Sequence, residues 1–596
     1  MARQNPYLTP ILTGATRRKY LFIAAVWLAA VIYFWQWWLT PSHNISTLRY
    51  GLATFCMGWI TFLQAYFVIV FLSGARSSSP APYPGRYRVA MIVTKTPSEP
   101  FSLLRKTLEA MLAQDYPHDT WLADEDPSPE TIRWCADHGV QISSRKGVED
   151  YHRAQWPRRT RCKEGNLAYF YDHFGYDRYD IVCQLDADHV PQPGYLVEML
   201  RPFDNPEVGY VSAPSICNAN AAESWAARTR LHAEAAFHGV LQTGYSRLMT
   251  PLCIGSHYAV RTKALKDVGG LGPDLAEDHS TTLLLAAGGW KGVHAIDAIA
   301  FGDGPANVAD LAVQEFQWSR SLVTLLLSHT GRYLGRLPAR LKFLFLLGQC
   351  WYPVFALTML FSYVAPIWAL VADLRFADVT YPAFVGHGLP ATIALLWIAA
   401  EIRRDGLFRP LDGKVLSWEK VLFVFVQWPW VLWGCLMAVR DKLTGRFVDF
   451  RVTPKGENAS KRLPSKVVAV YVALSLGANL PLLYINDAAE ARGFYILSGI
   501  NALIYAGIVA SIVVRHLRDN GAELKRRWRA ATFQVGSVAA LTALILTAVN
   551  QRGIESLYVL SIGLEPFRIA RAEYAVSGAG MNKGNRIYYQ FDPGWN

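Results

Sequence analysis

The sequence has little cysteine and little charge. Its 596 residues include eight cysteines, none of them in a CxxC spacing, which excludes a disulfide scaffold and argues against a zinc cluster. Charged residues make up 18% of the chain, whereas a soluble protein usually carries about a quarter. Hydrophobic residues make up 52%, and several apolar runs approach the ~20 residues that cross a bilayer. The sequence therefore predicts a membrane protein, and excludes both a disordered chain and a purely soluble enzyme.

The apolar runs lie on both sides of a polar middle section. We predict seven membrane spans, at residues 20–39, 51–73, 350–373, 386–402, 464–485, 494–515 and 533–550. An interfacial helix should run into the third span. A further run at 418–439 is long enough to cross, but Pro429 lies in its middle and both flanks are basic. Because short basic loops stay in the cytoplasm, we predict a second helix along the cytoplasmic interface there.

These predictions divide the chain into five regions. They are an N-terminal membrane region (1–75), a cytosolic domain (76–335), interfacial helices with two spans and a loop (336–462), three C-terminal spans (463–550) and an extracytoplasmic tail (551–596). The tail could cap a channel exit or bind a periplasmic partner. A poorly ordered terminus is an equally good expectation.

The polar middle section alternates strand-like and helix-like segments. The strand-like run RVAMIVT is followed by FSLLRKTLEAMLAQ, then TWLADED, then PETIRWCADHG. This alternation is typical of an α/β domain with a parallel sheet and crossover helices. The run IVCQLDADH is typical of a buried strand that ends in acids. In open α/β sheets, ligands bind at the carboxyl ends of the strands.

Two acidic motifs in this section could carry chemistry. Asp186 and Asp188, with His189 beside them, follow the buried strand, and their oxygens suit Mg²⁺ or Mn²⁺ bridging to a diphosphate. Alone, such a pair is more often a capped loop. Glu277 and Asp278 precede a helix-like run. They could cap that helix, or supply a general base that takes a proton from an acceptor hydroxyl.

A third motif runs from Gln314 to Arg320 (QEFQWSR). An exposed Trp318 could stack on a sugar ring, with glutamine and arginine near phosphate. An amphipathic helix at the membrane surface is the alternative interpretation.

In chain order, these motifs resemble those of the membrane-embedded, inverting family 2 glycosyltransferases, which include cellulose, curdlan, hyaluronan and chitin synthases. That family carries D, DxD, TED and QxxRW motifs in a cytosolic GT-A domain. A later segment, Phe450 to Gly456 (FRVTPKG), resembles the FxVTxKG gating loop of bacterial cellulose synthases. The resemblance covers roughly residues 86–470. It implies a GT-A-type α/β domain inserted in an α-helical membrane domain.

The resemblance also implies roles for individual residues. The nucleotide sugar would contact Thr96, Glu99, Asp124 (preferred to Asp126), Lys163, Asp186, Gln314, Gln317 and Arg320. The acceptor would contact Trp318, Gly255 and Ser256. Asp278 would be the base, with Glu277 beside it, and Asp188 and His189 would hold the metal. The gating loop would act through Phe450, Val452, Thr453 and Lys455.

The sequence departs from the family pattern at three places. Ala276 replaces the threonine of TED, which removes a hydroxyl and keeps the base. Cys253-Ile254 replaces Phe-Cys before the acceptor-side Gly-Ser turn. Gln317 replaces the arginine of QxxRW, and glutamine supplies neither its charge nor its bidentate geometry. Arg320, one turn further along the same helix face, could compensate.

The expected function is a processive inverting synthase that makes a β-glucan of cellulose or curdlan type from UDP-glucose. Its partners would be UDP-glucose, the nascent polysaccharide, the lipid bilayer and a periplasmic accessory protein, with no nucleic acid. The chain would lie in a bacterial inner membrane with its catalytic domain in the cytoplasm. The alternatives are a synthase that uses a UDP-N-acetylhexosamine, a non-processive transferase acting on a lipid, and an inactive scaffold or transporter.

Overall fold

The computed structural model describes residues 7–97, 99–273, 276–445, 463–486, 488–524, 528–564, 568–574 and 586–592. The strands are β1 (Leu8–Pro10), β2 (Ala75–Ser77), β3 (Val89–Lys95), β4 (Asp119–Asp124), β5 (Gln141–Ser143), β6 (Ile181–Asp186), β7 (Val190–Pro191), β8 (Val208–Ser212), β9 (Ser215–Ile216), β10 (His257–Arg261), β11 (Lys291–His294), β12 (Ala300–Phe301), β13 (Arg568–Tyr574) and β14 (Arg586–Asp592).

The first thirteen α-helices lie before residue 335. They are α1 (Gly14–Trp38), α2 (Thr47–Leu72), α3 (Phe101–Leu112), α4 (Pro129–Asp137), α5 (Lys163–Phe170), α6 (Tyr176–Arg178), α7 (Tyr195–Leu200), α8 (Trp225–Ala236), α9 (Gln242–Leu248), α10 (Thr262–Asp267), α11 (Glu277–Ala287), α12 (Val308–Leu325) and α13 (Gly331–Leu334). The later helices are α14 (Ala339–Ala372), α15 (Tyr381–Arg404), α16 (Trp418–Thr444), α17 (Ser465–Tyr484), α18 (Phe494–Leu524) and α19 (Trp528–Ser561).

The polar middle section forms an α/β domain, as predicted. Its main sheet has seven strands in the order β11-β8-β10-β6-β3-β4-β5. The inner strands β3 and β6 are buried along almost their whole length, because hydrophobic clusters cover both faces of the sheet. That double burial explains why their sequences are continuous apolar runs with no alternation.

The sheet is mixed, whereas the sequence predicted a parallel one. Strand β10 runs antiparallel to both of its neighbours, β6 and β8, while the β3–β4, β3–β6 and β4–β5 pairs are parallel. The direction of a strand depends on which end of the sheet the preceding connection reaches. The sequence of the five residues of β10 does not indicate in which direction the strand runs.

The described residues fall into two compact units. The first comprises Met1–Tyr20, Tyr66–Ala356 and Ala399–Lys461, and the second comprises Leu21–Ala65, Leu357–Ile398 and Arg462–Asn596. The first unit holds the α/β domain, the start of α14 and all of α16. In the second unit, α17, α18 and α19 pack on one another, and β13 and β14 form an antiparallel hairpin.

Eight helices in the described ranges are long and apolar enough, by length and composition, to cross a membrane, and they indicate a membrane protein. They are Gly14–Trp38, Thr47–Leu72, Ala339–Ala372, Tyr381–Arg404, Trp418–Thr444, Ser465–Tyr484, Phe494–Arg518 and Ala531–Ser561. Seven of them cover the predicted spans to within one residue at each end. The eighth is α16, which continues through Pro429 without a break. Its predicted position along the interface stays a prediction, as do the predicted region boundaries and sidedness.

Two helices differ in length from the predicted segments. The predicted interfacial helix and third span form one continuous helix, α14. The last helix, α19, ends at Ser561, beyond the predicted end at residue 550, and the hairpin of β13 and β14 follows it.

Candidate active site

The acids that follow β6 lie together at one edge of the sheet. Strand register places Asp186 beside Thr94 of β3, and Lys95 of β3 beside Asp124 of β4. Asp186, Asp188 and His189 each offer a ligand atom within 4.8 Å of the others. The Asp188 side chain is fully buried, whereas that of Asp186 is 30% exposed.

Hydrogen bonds to neighbouring residues fix the side chains of Asp188 and His189. The backbone N–H of Asp303 donates to Asp188 Oδ2 at 3.1 Å. The His189 ring has Nδ1 3.3 Å from Asp188 Oδ1 and Nε2 3.3 Å from Ser215 Oγ. Burial alone lowers the pKa of His189, but Asp188 outweighs it and raises the pKa to about 9.

The donor set fits a hard divalent cation. Two carboxylates with one imidazole suit Mn²⁺, and the carboxylates alone suit Mg²⁺. Because a metal ligand must be deprotonated, binding through His189 would release the proton that Asp188 favours.

Lys163 lies between the acids of the two motifs and contacts Asp186. At the start of α5, its Nζ donates to Asp186 Oδ1 at 2.7 Å and to the Gly255 carbonyl at 2.6 Å. The Glu277 Oε1 atom lies 4.0 Å away. Burial alone lowers the pKa of Lys163, but Asp186 and Glu277 outweigh it, so the net pKa is raised. The ammonium therefore stays charged at neutral pH and offsets part of the acids' repulsion.

Glu277 and Asp278 begin α11 on the other side of Lys163. Tyr258 Oη donates to Glu277 Oε2 at 2.8 Å, and burial raises the pKa of Glu277 to about 7. Asp278 Oδ1 accepts the His279 N–H at 2.7 Å. Burial raises the pKa of Asp278 as well. A carboxylate with a raised pKa is better suited to accept a proton at neutral pH.

Gly255 lies directly against the predicted base. A Cβ at this position would be 3.0 Å from Asp278 Oδ2, and the carbonyl of the same residue accepts from Lys163. The adjacent Ser256 carbonyl accepts the N–H of Asp186 at 2.8 Å. The turn therefore joins Asp186 to Asp278, and the predicted acceptor-side Gly-Ser turn lies between the two acid motifs.

The predicted nucleotide-side acids lie at the ends of β3 and β4. Glu99 Oε2 accepts the N–H of Thr96 at 2.8 Å and its hydroxyl at 3.1 Å. Asp124 is buried and pairs with Lys95 at 3.1 Å. Asp126 is 70% exposed and pairs with Lys146 instead. Their predicted contacts with a nucleotide stay predictions.

The predicted motif from Gln314 to Arg320, which includes the acceptor residue Trp318, lies on α12. Arg230 of α8 places its guanidinium 4.0 Å from the centre of the Trp318 ring and donates to Gln314 Oε1 at 3.3 Å. Gln317 is buried. Arg320 Nε donates to Asp441 Oδ2 of α16 at 2.7 Å. A contact between Arg320 and a diphosphate, as predicted, would have to break this ion pair.

Several residues that support the site were not predicted from the sequence. Arg230, Tyr258 and Asp303 each bond to a predicted site residue. All three come from segments with no local motif, so no signal in the linear sequence identifies them. The predicted gating residues Phe450, Val452, Thr453 and Lys455 lie outside the described residues.

Comparisons with known proteins find similarity to glycosyltransferases. The family model described as "Glycosyl transferase family group 2" matches residues 181–389. The chain is 23% identical over 328 residues to the UDP-forming cellulose synthase 1 catalytic subunit of Komagataeibacter xylinus, covering 52% of this chain and 42% of that protein. It is 22% identical over 333 residues to cellulose synthase 1 of Novacetimonas hansenii, covering 52% and 20%. The chain thus spans less than half the length of these two relatives.

Among solved structures, glucosyl-3-phosphoglycerate synthase from Mycobacterium tuberculosis, in complex with Mn²⁺, UDP and glucosyl-3-phosphoglycerate, is 16% identical. The match covers 42% of this chain and 81% of that chain, with a TM-score of 0.28. At that score the superposition carries no argument about function.

Proposed function

Because the chain contains a glycosyltransferase family 2 domain that includes Asp186, Asp188 and Asp278, we propose that it is a processive inverting β-glycosyltransferase. Its donor is UDP-glucose, its product is a β-glucan of cellulose or curdlan type, and the product leaves through the chain's own membrane helices. The observation that carries the proposal is the position of Lys163, which contacts Asp186 and the Gly255 carbonyl and lies 4.0 Å from Glu277.

The chemistry follows from the acids on either side of Lys163. Asp278 removes the proton of the acceptor hydroxyl, whose oxygen attacks the anomeric carbon of the donor. The bond from that carbon to the diphosphate breaks on the opposite face, so an α-linked donor gives a β-linkage and UDP leaves. Burial raises the pKa of Asp278, which favours uptake of the proton there.

The leaving diphosphate needs positive charge. A divalent cation held by Asp188, with Asp186 and His189, would supply it when bound. Lys163 is already aligned with Asp186 at 2.7 Å and supplies a second positive charge. These groups are fixed before the reaction, so they stabilise the developing charge without reorganising.

The surroundings of α12 support processive export. In the first unit, α12 packs along α16, one of the helices long and apolar enough to cross a membrane. The base helix α11 likewise contacts α14, where the rings of His279 and Phe345 lie 5.6 Å apart. The helices that carry the proposed acceptor platform and the proposed base therefore both contact apolar helices, as a site that feeds its product into the membrane requires.

The donor and the cellular location rest on the relatives. Cellulose synthase catalytic subunits, three of them named as UDP-forming, support a UDP-sugar donor and favour glucose over an N-acetylhexosamine. A chain with these helices and this domain fits a bacterial inner membrane, with the catalytic domain in the cytoplasm.

The test replaces the proposed base and uses a matched control. Membranes containing the native protein, Asp278→Asn or Asp126→Asn are incubated with radiolabelled UDP-glucose or UDP-N-acetylglucosamine. We expect polymer from UDP-glucose, a loss of about 10²- to 10⁴-fold in Asp278→Asn, and native activity in Asp126→Asn, whose carboxylate is 70% exposed. Digestion with β-1,3- and β-1,4-specific glucanases identifies the linkage. Polymer from UDP-N-acetylglucosamine alone, or full activity in Asp278→Asn, refutes the proposal.

A further inference from the structure

One arginine, Arg230, contacts both Gln314, predicted to bind the nucleotide sugar, and Trp318, predicted to bind the acceptor. The Arg230 side chain is 12% exposed. Its guanidinium lies 4.0 Å from the Trp318 ring centre and bonds to Gln314 Oε1 at 3.3 Å. Gln314 and Trp318 are four residues apart on α12, so both face the same side. Arg230 therefore spans the half-buried face of the motif from a different helix.

Arg230 is itself held by a carboxylate and an imidazole. Its Nε lies 2.9 Å from Glu234 Oε2, and the same oxygen is 3.3 Å from His238 Nε2. Burial alone raises the pKa of Glu234, but Arg230 and His238 outweigh it and lower the pKa to about 2. Glu234 is thus a permanent anion that fixes the orientation of the guanidinium plane.

Further hydrogen bonds connect His238 to His189, one of the predicted metal ligands. His238 Nδ1 accepts the N–H of Ser215 at 3.4 Å, which leaves Nε2 to donate to Glu234. Ser215 Oγ is 3.3 Å from His189 Nε2 and accepts from Ser256 Oγ at 3.0 Å. A continuous set of polar contacts therefore runs from Trp318 to His189.

We propose that Arg230 is the positioning residue of the acceptor site: it holds the Trp318 ring and the Gln314 side chain in the geometry that receives the terminal sugar. This inference rests on the proposed function. Arg320 is committed to Asp441 and Gln317 carries no charge, so Arg230 supplies the cation next to this motif. Asp278 and Lys163 are bonded to His279 and Asp186, so loss of Arg230 does not remove their partners.

The separation of donor and acceptor chemistry makes this testable. When no acceptor hydroxyl is in position, water can attack the donor with the same base, giving glucose and UDP. A defect of the acceptor site alone therefore lowers the ratio of polymerised glucose to released UDP. A defect of the fold lowers both quantities together.

The experiment measures that ratio in the purified full-length protein with UDP-glucose and Mn²⁺. A cation–π contact and a hydrogen bond to a charged group together predict that Arg230→Gln lowers the ratio about 10- to 30-fold. We expect UDP release to stay within about threefold of native, and Arg230→Lys to be intermediate because it keeps the charge and loses the planar contact. Arg228→Gln is the matched control, since Arg228 lies on the same helix and pairs with Glu419 at 3.2 Å instead.

A double variant shows whether Arg230 acts through Trp318. In a Trp318→Leu background, Arg230→Gln should lower the ratio no further. An additive loss, an unchanged ratio, or a parallel fall of polymer and UDP release overturns the inference and leaves the proposed function standing. Native protein that releases no UDP overturns both. If Arg230→Gln lacks a melting transition, Arg230→Lys decides by the same ratio.

Discussion

Replacing Glu277 by glutamine should stabilise the protein increasingly, relative to native, as the pH rises from 5 to 8. Glu277 is buried, with its side chain 7% exposed, and its pKa is about 7 in the folded protein against an ordinary value of 4.5. Between these two values the folded state binds more protons than the unfolded state. The free energy of unfolding of the native protein therefore falls as the pH rises through this window.

The size of the effect follows from the two pKa values. From pH 5 to pH 8, ionising Glu277 in the folded state costs about 2 to 3 kcal/mol more than in the unfolded chain. Glutamine cannot ionise and escapes this cost. The attraction of Lys163 for the ionised carboxylate is already contained in the pKa of about 7, and the side-chain oxygen of glutamine can still accept the hydrogen bond from Tyr258. For a domain of this size, the difference in melting temperature should change by about 5 to 10 °C.

The assay is a series of thermal melts of the purified protein at pH 5, 6, 7 and 8. The quantity of interest is the melting temperature of Glu277→Gln minus that of the native protein. Glu109→Gln is the control, because Glu109 is 49% exposed and pairs with Arg105 on the surface of α3, so its difference should stay constant. A constant or falling difference for Glu277→Gln would refute the view that burial among like charges controls this carboxylate.

Two further predictions concern helix packing and the metal. A Cβ at Gly434 of α16 would lie 2.1 Å from Ser319 Oγ and 2.5 Å from the Phe316 carbonyl of α12, so Gly434→Ala should cost about 1 to 3 kcal/mol and lower the melting temperature. Gly331→Ala has no atom within 4 Å of the new Cβ and should melt as the native protein does; equal melting of the two variants contradicts the close packing of α12 on α16 at Gly434. Removal of divalent cations by a chelator should abolish UDP release, and Asp188→Asn should raise the Mn²⁺ concentration for half-maximal activity at least about tenfold; activity that persists in excess chelator contradicts the proposed metal site.

The local sequence pattern was sufficient to predict the strand before Asp186 and the helix that begins at Glu277. The run before Asp186 (IVCQL) is almost wholly apolar and shows no alternation of polar residues, which favours a strand buried on both sides. The acids after it must then emerge at the carboxyl edge of the sheet. The run after Asp278 likewise predicted a helix, observed as α11. These inferences succeeded because each depends on neighbours within a few residues.

Contacts between distant segments could not be predicted in the same way. Lys163 and Gly255 are 92 residues apart, and Arg230 and Gln314 are 84 apart. Nothing in either segment specifies its partner. The antiparallel direction of β10 was likewise not predictable from local sequence, because it depends on where the chain enters the sheet. The acids could therefore be named from the sequence, whereas the arginine beside Trp318 could not.

By itself the sequence determined the membrane character of the chain, its α/β class and the identity of the acids at the site, since hydrophobic runs and strand-end motifs are local properties. Only the tertiary structure decided which cation neutralises which acid. It joined Lys163 to Asp186, Arg320 to Asp441 and Arg230 to Trp318. A charge becomes costly only when folding removes its water, and its partner is whichever opposite group the packing of distant helices and strands brings within reach.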